Sequence, residues 1–274
     1  MRRRLDGTVS EKQTGFFTDT TVCIGCKACE AACKQWNQLP DDGLFFTGMS
    51  YDNTVHLGGS TWRHVALAER PVVLSTQQTG LSKPFSWLLM SDVCKHCARA
   101  GCLENCPTGA IVRTEFDSVY VQPDVCNGCG YCVVGCPFGV IDRLQDDGRA
   151  WKCTLCYDRQ KSGLEPACAK ACPTDSILFG EVGWLRDRAR ERLEHLHSKG
   201  MKEAYLYGFD EGNQPGTEGL NAFFLLVDKP EVYNLPPDPV VATKKAAGSW
   251  GAMAVAGAMM AVAAVISAAR GGRS

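Results

Sequence analysis

Sixteen cysteines carry the chemistry open to this chain, and they fall into four quartets with none left over. These are Cys23, Cys26, Cys29 and Cys33; Cys94, Cys97, Cys102 and Cys106; Cys126, Cys129, Cys132 and Cys136; and Cys153, Cys156, Cys168 and Cys172. Four thiolates are the ligand content of one [4Fe-4S] cubane. Two intervening residues make a loop tight enough to aim successive sulfurs at different corners of a small cube, with backbone amides turned inward to offset the sulfur charge. The last cysteine of each quartet stands a helical turn further on. Pro107, Pro137 and Pro173 follow it in three quartets and stop that turn. Lys34 takes the place in the first, so a longer helix through Trp36 is expected there. Groups of this kind move electrons one at a time.

Zinc sites also use Cys-x2-Cys pairs, but zinc ribbons need neither a third cysteine two residues after the second nor a trailing Cys-Pro. Disulfides fit poorly with adjacent Cys-x2-Cys pairs and no secretory pattern. The 29 basic and 30 acidic residues leave a net charge of −1 and no basic stripe interleaved with aromatics, so nucleic acid is excluded as a partner. No nucleophile with a general base, phosphate-cradling glycine loop or paired carboxylates stands out; no catalytic residue is expected on this chain. His96 lies between two ligands but is redundant beside a full cysteine set, and His195 and His197 read as solvated positions on a charged helix. Tyr131, Phe138 and Trp36 flank the quartets as ordinary packing residues would.

The elements that must position the quartets follow from the pattern between them. Ala110–Arg113 and Ser118–Val121 alternate around a polar turn as a hairpin does, joining quartets two and three into the layout of a two-cluster ferredoxin. Quartets one and four flank that unit and are expected to meet as a second copy. The expected fold is α+β: two ferredoxin-like two-cluster domains, one inserted in the other, plus a single C-terminal transmembrane helix. The boundaries are an N-terminal arm at 1–17, an outer domain at 18–84 and 148–232, an inner domain at 85–147, a linker at 233–245 and the membrane helix at 246–269. In two-cluster ferredoxins the fourth cysteine of each run crosses to the other cluster. The expected ligand sets are therefore Cys23, Cys26, Cys29 and Cys172 (set one); Cys153, Cys156, Cys168 and Cys33 (set two); Cys94, Cys97, Cys102 and Cys136 (set three); and Cys126, Cys129, Cys132 and Cys106 (set four). Four [4Fe-4S] clusters result.

Leu44–Leu89 is a long insertion with strand-like stretches at 62–67 and 85–89, expected to shape a partner surface rather than bind a ligand. Gly183–Lys199 reads as a charged amphipathic helix, Ala222–Val227 as a buried strand, and Leu235-Pro236-Pro237-Asp238-Pro239 as an extended linker. Ala246–Ala269 holds 24 residues without a charge, 14 of them alanine or glycine. As a helix it would be about 36 Å long, enough for a hydrocarbon core of about 30 Å. Gly257 and Ala261, four apart, favour close packing on another helix. Basic residues on both flanks give no orientation. Met1–Leu5 is basic but lacks the apolar run of an export signal, so any export would depend on a partner's signal.

Several stretches resemble the iron-sulfur subunits of membrane-bound, molybdopterin-dependent formate dehydrogenases. They are Cys23-Ile24-Gly25-Cys26-Lys27-Ala28-Cys29 with Trp36 and Asn37, Tyr51-Asp52-Asn53, Trp62, the four-residue gap between Cys97 and Cys102, Lys152-Cys153-Thr154-Leu155-Cys156, Glu165-Pro166-Ala167-Cys168, Phe179-Gly180, Pro230-Glu231 with Tyr233, and the proline-rich linker. The resemblance implies a molybdopterin-containing catalytic subunit that oxidises formate, a haem-containing membrane subunit that reduces quinone, and this chain as the relay between them. Nitrate reductase subunits are similar but replace one cysteine by tryptophan, whereas here every ligand, Cys129 included, is present. Hydrogenase-linked and other molybdopterin-reductase relays are the alternative readings.

Overall fold

The computed structural model describes residues 13–41, 43, 48, 52, 54–71, 85–210 and 212–271. The expected arm up to residue 12, most of the 43–50 stretch, Tyr51 and Asn53 lie outside the described residues.

A four-stranded sheet forms the backbone of the molecule. Strand β1 (Thr14–Asp19) is its second strand, antiparallel to β8 (Ile177–Glu181) and parallel to β10 (Ala222–Leu226), which pairs antiparallel with β9 (Tyr205–Tyr207). The arm expected at 1–17 therefore gives way at Thr14 to a buried strand. The period of two decides what each face covers. Phe17, Phe223 and Leu225 pack under helix α6 (Val182–Ser198), through Leu185, Ala189 and Leu196. Phe16 and Ala222, one residue out of phase, face the cysteines of the first and last quartets, and Phe224 and Leu226 face the hairpin core of the middle ones. Gly15 permits the close approach of β1 to the chain entering β10: a Cβ there would stand 1.8 Å from the Asn221 carbonyl oxygen. Gly15→Ala is expected to cost about 1–3 kcal/mol, as overpacking against a fixed backbone does, read as a lowered melting temperature of the metal-loaded protein.

The cysteines ride on short helices hung from this frame. Helix α1 (Ala28–Asn37) carries Cys29 and Cys33 and runs past Trp36, as the missing proline led one to expect. The single-turn helices α2 (Gly101–Glu104), α3 (Tyr131–Val134) and α5 (Ala167–Lys170) carry Cys102, Cys132 and Cys168. Helix α1 packs on α5 and α2 on α3, so quartet one meets four and quartet two meets three. Between them lie the hairpin β4 (Ile111–Arg113) and β5 (Val119–Val121), the small ribbon β6 (Asp142–Arg143) and β7 (Ala150–Trp151), and α4 (Tyr157–Lys161).

Strands β2 (Arg63–Pro71) and β3 (Phe85–Val93) pair antiparallel along their whole length, so the two sides of the 84/85 boundary share one ribbon. The proline-rich linker is not free chain. Leu235 and Val241 are buried and Tyr207 donates its hydroxyl hydrogen to the Pro236 carbonyl. The chain then enters helix α7 (Ala246–Gly271), whose main contact among the described residues is the 3-10 turn at Ala242–Lys245 that precedes it. Trp250, Val255, Met259, Met260 and Val265 are all exposed along it. Among the described residues it is the one helix long and apolar enough to cross a membrane.

Candidate metal centres

Each Cys-x2-Cys loop holds a residue in the left-handed region: Gly25 and Lys27 in the first quartet, His96 in the second, Gly128 and Gly130 in the third, Leu155 and Cys156 in the fourth. A left-handed residue next to right-handed ones turns successive amides to one side and makes a concave, anion-receptive nest. The segments after the terminal cysteines repeat one another as well, with Gly109, Gly139 and Asp175 at positive φ two residues after Pro107, Pro137 and Pro173. Each such turn is followed by a strand, β4, β6 or β8.

All sixteen cysteines are free thiols. Cys23, Cys26, Cys29 and Cys172 line one cavity, with Ile24, Val65, Ser91 and Ile177 around them. Cys94, Cys97, Cys102 and Cys136 line a second, walled by Phe138, Val140 and Ile141. Cys106, Cys126, Cys129 and Cys132 line a third, with Ile111 and Ala150. Space free of protein atoms in and around the three, open solvent included, amounts to about 290, 330 and 290 Å³. Cys33, Cys153, Cys156 and Cys168 meet without solvent: all four are buried, and Cys33 feels the charges of Cys153, Cys168 and Cys156. Among the described residues, no three or more His, Cys, Asp or Glu side chains converge on a point fit for one metal ion.

The electrostatics show what these cavities require. Burial pushes the Cys29 thiol up to about 11, against the opposing pull of Arg63 and Ser91. Burial first, then the neighbouring cysteines, raises Cys33 and Cys97 well above the ordinary thiol range. Cys102 rises to about 12, chiefly by burial. Cys106 is the exception. Burial would raise it, but the Thr108 hydroxyl and the amides of Ile111, Ala110 and Thr108 outweigh that and lower it. Four thiols so placed become thiolates together only around a positively charged centre, and coordination deprotonates a thiol outright. A cubane, whose corners are spread over a box of this kind, fits the donor set; single-ion coordination does not.

Three cations are buried among the thiols, and the sequence reading missed their role. Arg63 donates from Nη2 to Cys168 Sγ at 3.1 Å, and its Nε has no acceptor among the described residues. Lys152 donates from Nζ to the carbonyls of Val119 and Cys153. Burial works against its charge, but Cys94, Cys102 and Cys153 outweigh that and raise its pKa. Lys95 pairs with Asp92 and lies over the rings of Phe138 and Phe224. Lys95 and Lys152 adjoin Cys94 and Cys153 in sequence, which was a usable signal. Arg63 gave none, because it sits in the insertion expected to face a partner, and the ribbon that carries it instead runs its base into the thiol cluster. Amide and hydroxyl donors complete the surroundings: Leu155 N–H to Cys153 Sγ at 3.3 Å, Ala150 N–H to Cys126 Sγ at 3.4 Å, and Ser91 Oγ at 3.2 Å from Cys29 Sγ.

The remaining sequence candidates are structural. His96 is buried and accepts the Val119 N–H at Nδ1, 3.1 Å. Burial, then Lys152, Arg113 and Arg63, holds its pKa well below the usual imidazole range. His195 is exposed, while His197 bonds the Ala204 carbonyl oxygen. Trp36 donates from Nε1 to Asp158 and lies under the Arg159 guanidinium. Tyr131 is exposed.

Residues 85–182 match the family of the 4Fe-4S dicluster domain. Over 227 residues the chain is 39% identical to the formate dehydrogenase iron-sulfur subunit of Haemophilus influenzae, covering 81% of this chain and 68% of that one. It is also 39% identical over 229 residues to the nitrate-inducible formate dehydrogenase iron-sulfur subunit of Escherichia coli, covering 82% and 73%. A subunit of the anaerobic dimethyl sulfoxide reductase of Escherichia coli is 33% identical over 178 residues, 64% of this chain and 77% of that one.

Proposed function

This chain belongs to the family of formate dehydrogenase iron-sulfur subunits, and from that premise we propose that it relays electrons from formate oxidation through four [4Fe-4S] clusters held by the sets one to four. It is an electron-transfer subunit and carries no catalytic site. The clusters, when bound, supply one-electron carriers; the polypeptide supplies ligands, insulation and charge.

The observation that carries this reading is the distribution of exposure over the four sets. The two exposed cysteines, Cys26 and Cys129, belong to sets one and four. Set two is wholly buried, and set three is buried but for the partly exposed Cys136. The sets are also electrostatic neighbours in one order. Cys29 and Cys168 share Arg63, Cys153 feels Cys94, and Cys102 feels Cys132, so one adjoins two, two adjoins three, and three adjoins four. A conductor needs an insulated middle and two accessible ends, and this arrangement has both. Packing of α1 on α5 and of α2 on α3 supports two two-cluster units, the second inserted in the first.

The ends differ in what lies beside them. The turn at Ala242–Lys245 that leads into α7 packs on α2, where Thr243 bonds Glu104. The anchor therefore springs from the side of sets three and four. Exposed Val125, Tyr131 and Val134 stand close to Cys126 and Cys132 of set four in the chain, and exposed Ile24 lines the cavity of set one. We read α7 as spanning the membrane, set four as serving a haem-containing membrane subunit that reduces quinone, and set one as facing a molybdopterin-containing catalytic subunit.

Co-purification through a tag on this chain, followed by a formate-dependent dye assay, tests the assignment. A partner containing molybdenum or tungsten and dye reduction by formate are expected. A complex inert to formate but active in reducing a sulfoxide, or one active with hydrogen, would move the same relay to another catalytic subunit; the likeness to the dimethyl sulfoxide reductase subunit makes the first the rival to assay.

A further inference from the structure

Between sets one and two the protein places a continuous line of polar contacts. Cys29 Sγ lies 3.2 Å from Ser91 Oγ, Ser91 Oγ accepts from Arg63 Nη1 at 3.4 Å, and Arg63 Nη2 donates to Cys168 Sγ at 3.1 Å. Cys29 belongs to set one and Cys168 to set two. The β2–β3 register builds the line: Arg63 opens β2, and Ser91 is two residues before its partner Val93 on β3. Arg63 Nη1 also donates to the Ser91 carbonyl oxygen at 3.3 Å, and the guanidinium lies over the Phe16 ring, 4.7 Å from its centroid. The residue is 2% exposed.

We propose that Arg63 and Ser91 form a charged hydrogen-bonded bridge between two neighbouring cluster sites, and that the fixed guanidinium charge raises the reduction potential of both. The inference rests on the ligand sets proposed above. Reduction adds one negative charge to a site, so a buried cation stabilises the reduced form, and net charge, hydrogen bonds to sulfur and exclusion of water are the levers that set such potentials. Arg63 combines all three.

Arginine suits the position and lysine does not. The planar fork donates from two separate nitrogens to groups on different sides while lying against an aromatic face, whereas an ammonium offers all of its donors from a single atom. The other buried cations make the contrast. Asp92 neutralises Lys95, and Lys152 serves Cys94 together with two carbonyls from one nitrogen, without reaching a thiol of set one. Among the described residues, Arg63 has as partners a thiol, a hydroxyl, a carbonyl and a ring, and no carboxylate. A guanidinium keeps its proton in proteins whatever its surroundings. Its charge is thus constant across the accessible pH range, and the effect needs no proton uptake.

The test is an EPR-monitored redox titration of the intact complex with Arg63→Met, Arg63→Lys or Ser91→Ala. Arg63→Met is expected to lower two of this chain's four midpoint potentials by at least a tenfold change in the reduced-to-oxidised ratio, about 59 mV for one electron, and to leave the other two in place. Arg63→Lys should recover part of the loss, and Ser91→Ala should lower one potential only. Four unchanged potentials, or an equal shift of all four, would overturn the proposal. Should Arg63→Met come out short of iron, Ser91→Ala decides, since it removes a single hydroxyl: one lowered potential upholds the bridge and none overturns it. Failure of the ligand sets would show earlier, as fewer than four centres titrating from this chain in the unaltered complex, and would remove the bridge with it.

Discussion

Synthesised without iron-sulfur assembly, the chain is expected to emerge with no native fold: no near-ultraviolet signature of packed aromatics and no cooperative thermal transition. The reason lies in how little holds the central region apart from its thiols. Helices α2, α3 and α5 are four residues each, far below the roughly 12–15 residues at which an isolated helix holds in water. Strands β4 and β5 have three residues and β6 and β7 two. Nine of the sixteen cysteines are buried, and burial with mutual repulsion keeps most of them from ionising on their own, Cys29 near 11 and Cys102 near 12. Metal binding is then folding free energy, because the unfolded chain has no preformed site. The four-stranded sheet with α6 is the part with an apolar core of its own, so residual structure should be confined to it, and hydrogen exchange would show protection at β1, β10 and α6 alone. A native-like spectrum from iron-free protein would contradict this account.

The second large effect concerns α7. Ending the chain at Lys245 is expected to release the complex from the membrane fraction and to abolish quinone reduction, while leaving formate-dependent dye reduction within about twofold of the full-length complex. Among the described residues the helix is exposed along its length and its main contact is the turn at its root, so its removal is expected to leave all four sets as they were. An apolar helix exposed on every side loses about 25 cal/mol for each square ångström of apolar surface left in water, and it is therefore stable only in lipid or against another helix. Gly248, Gly251 and Gly257 leave open space where a neighbour can approach closely. Full retention in the membrane after truncation would transfer the anchoring role to a partner subunit.

Much of this architecture was legible in the sequence because it is local. The quartets, the hairpin at 110–121, the helix at α6 and the uncharged run of α7 are each set by spacing or periodicity within a few turns of chain. Strand β10 showed for the same reason: five consecutive apolar residues, Ala222-Phe223-Phe224-Leu225-Leu226, mark a strand covered on both faces. What escaped depends on segments distant in sequence. Strand β1 reads as polar and short, and its burial follows only from pairing with β10 some two hundred residues later. The proline-rich stretch correctly excluded helix, yet its packing through Leu235 and Val241 needs Tyr207 and the α2 region as partners. Arg63 and Ser91 escaped entirely, because a donor to sulfur is defined by where a ribbon meets a helix, and no spacing rule encodes that meeting.

Electrostatics and insulation together explain why the relay has the form it does. The middle sets are buried with Arg63 and Lys152 as their counter-charges, and the end sets open to the surface beside apolar side chains suited to a partner. The central claim is the convergence of thiolates in fours on inorganic cubes. Iron, acid-labile sulfide and zinc, measured per chain on the protein produced with iron-sulfur assembly, test it most directly. The account predicts about sixteen iron and sixteen sulfide with negligible zinc; about four zinc and no sulfide, as four zinc-thiolate sites would give, would contradict it.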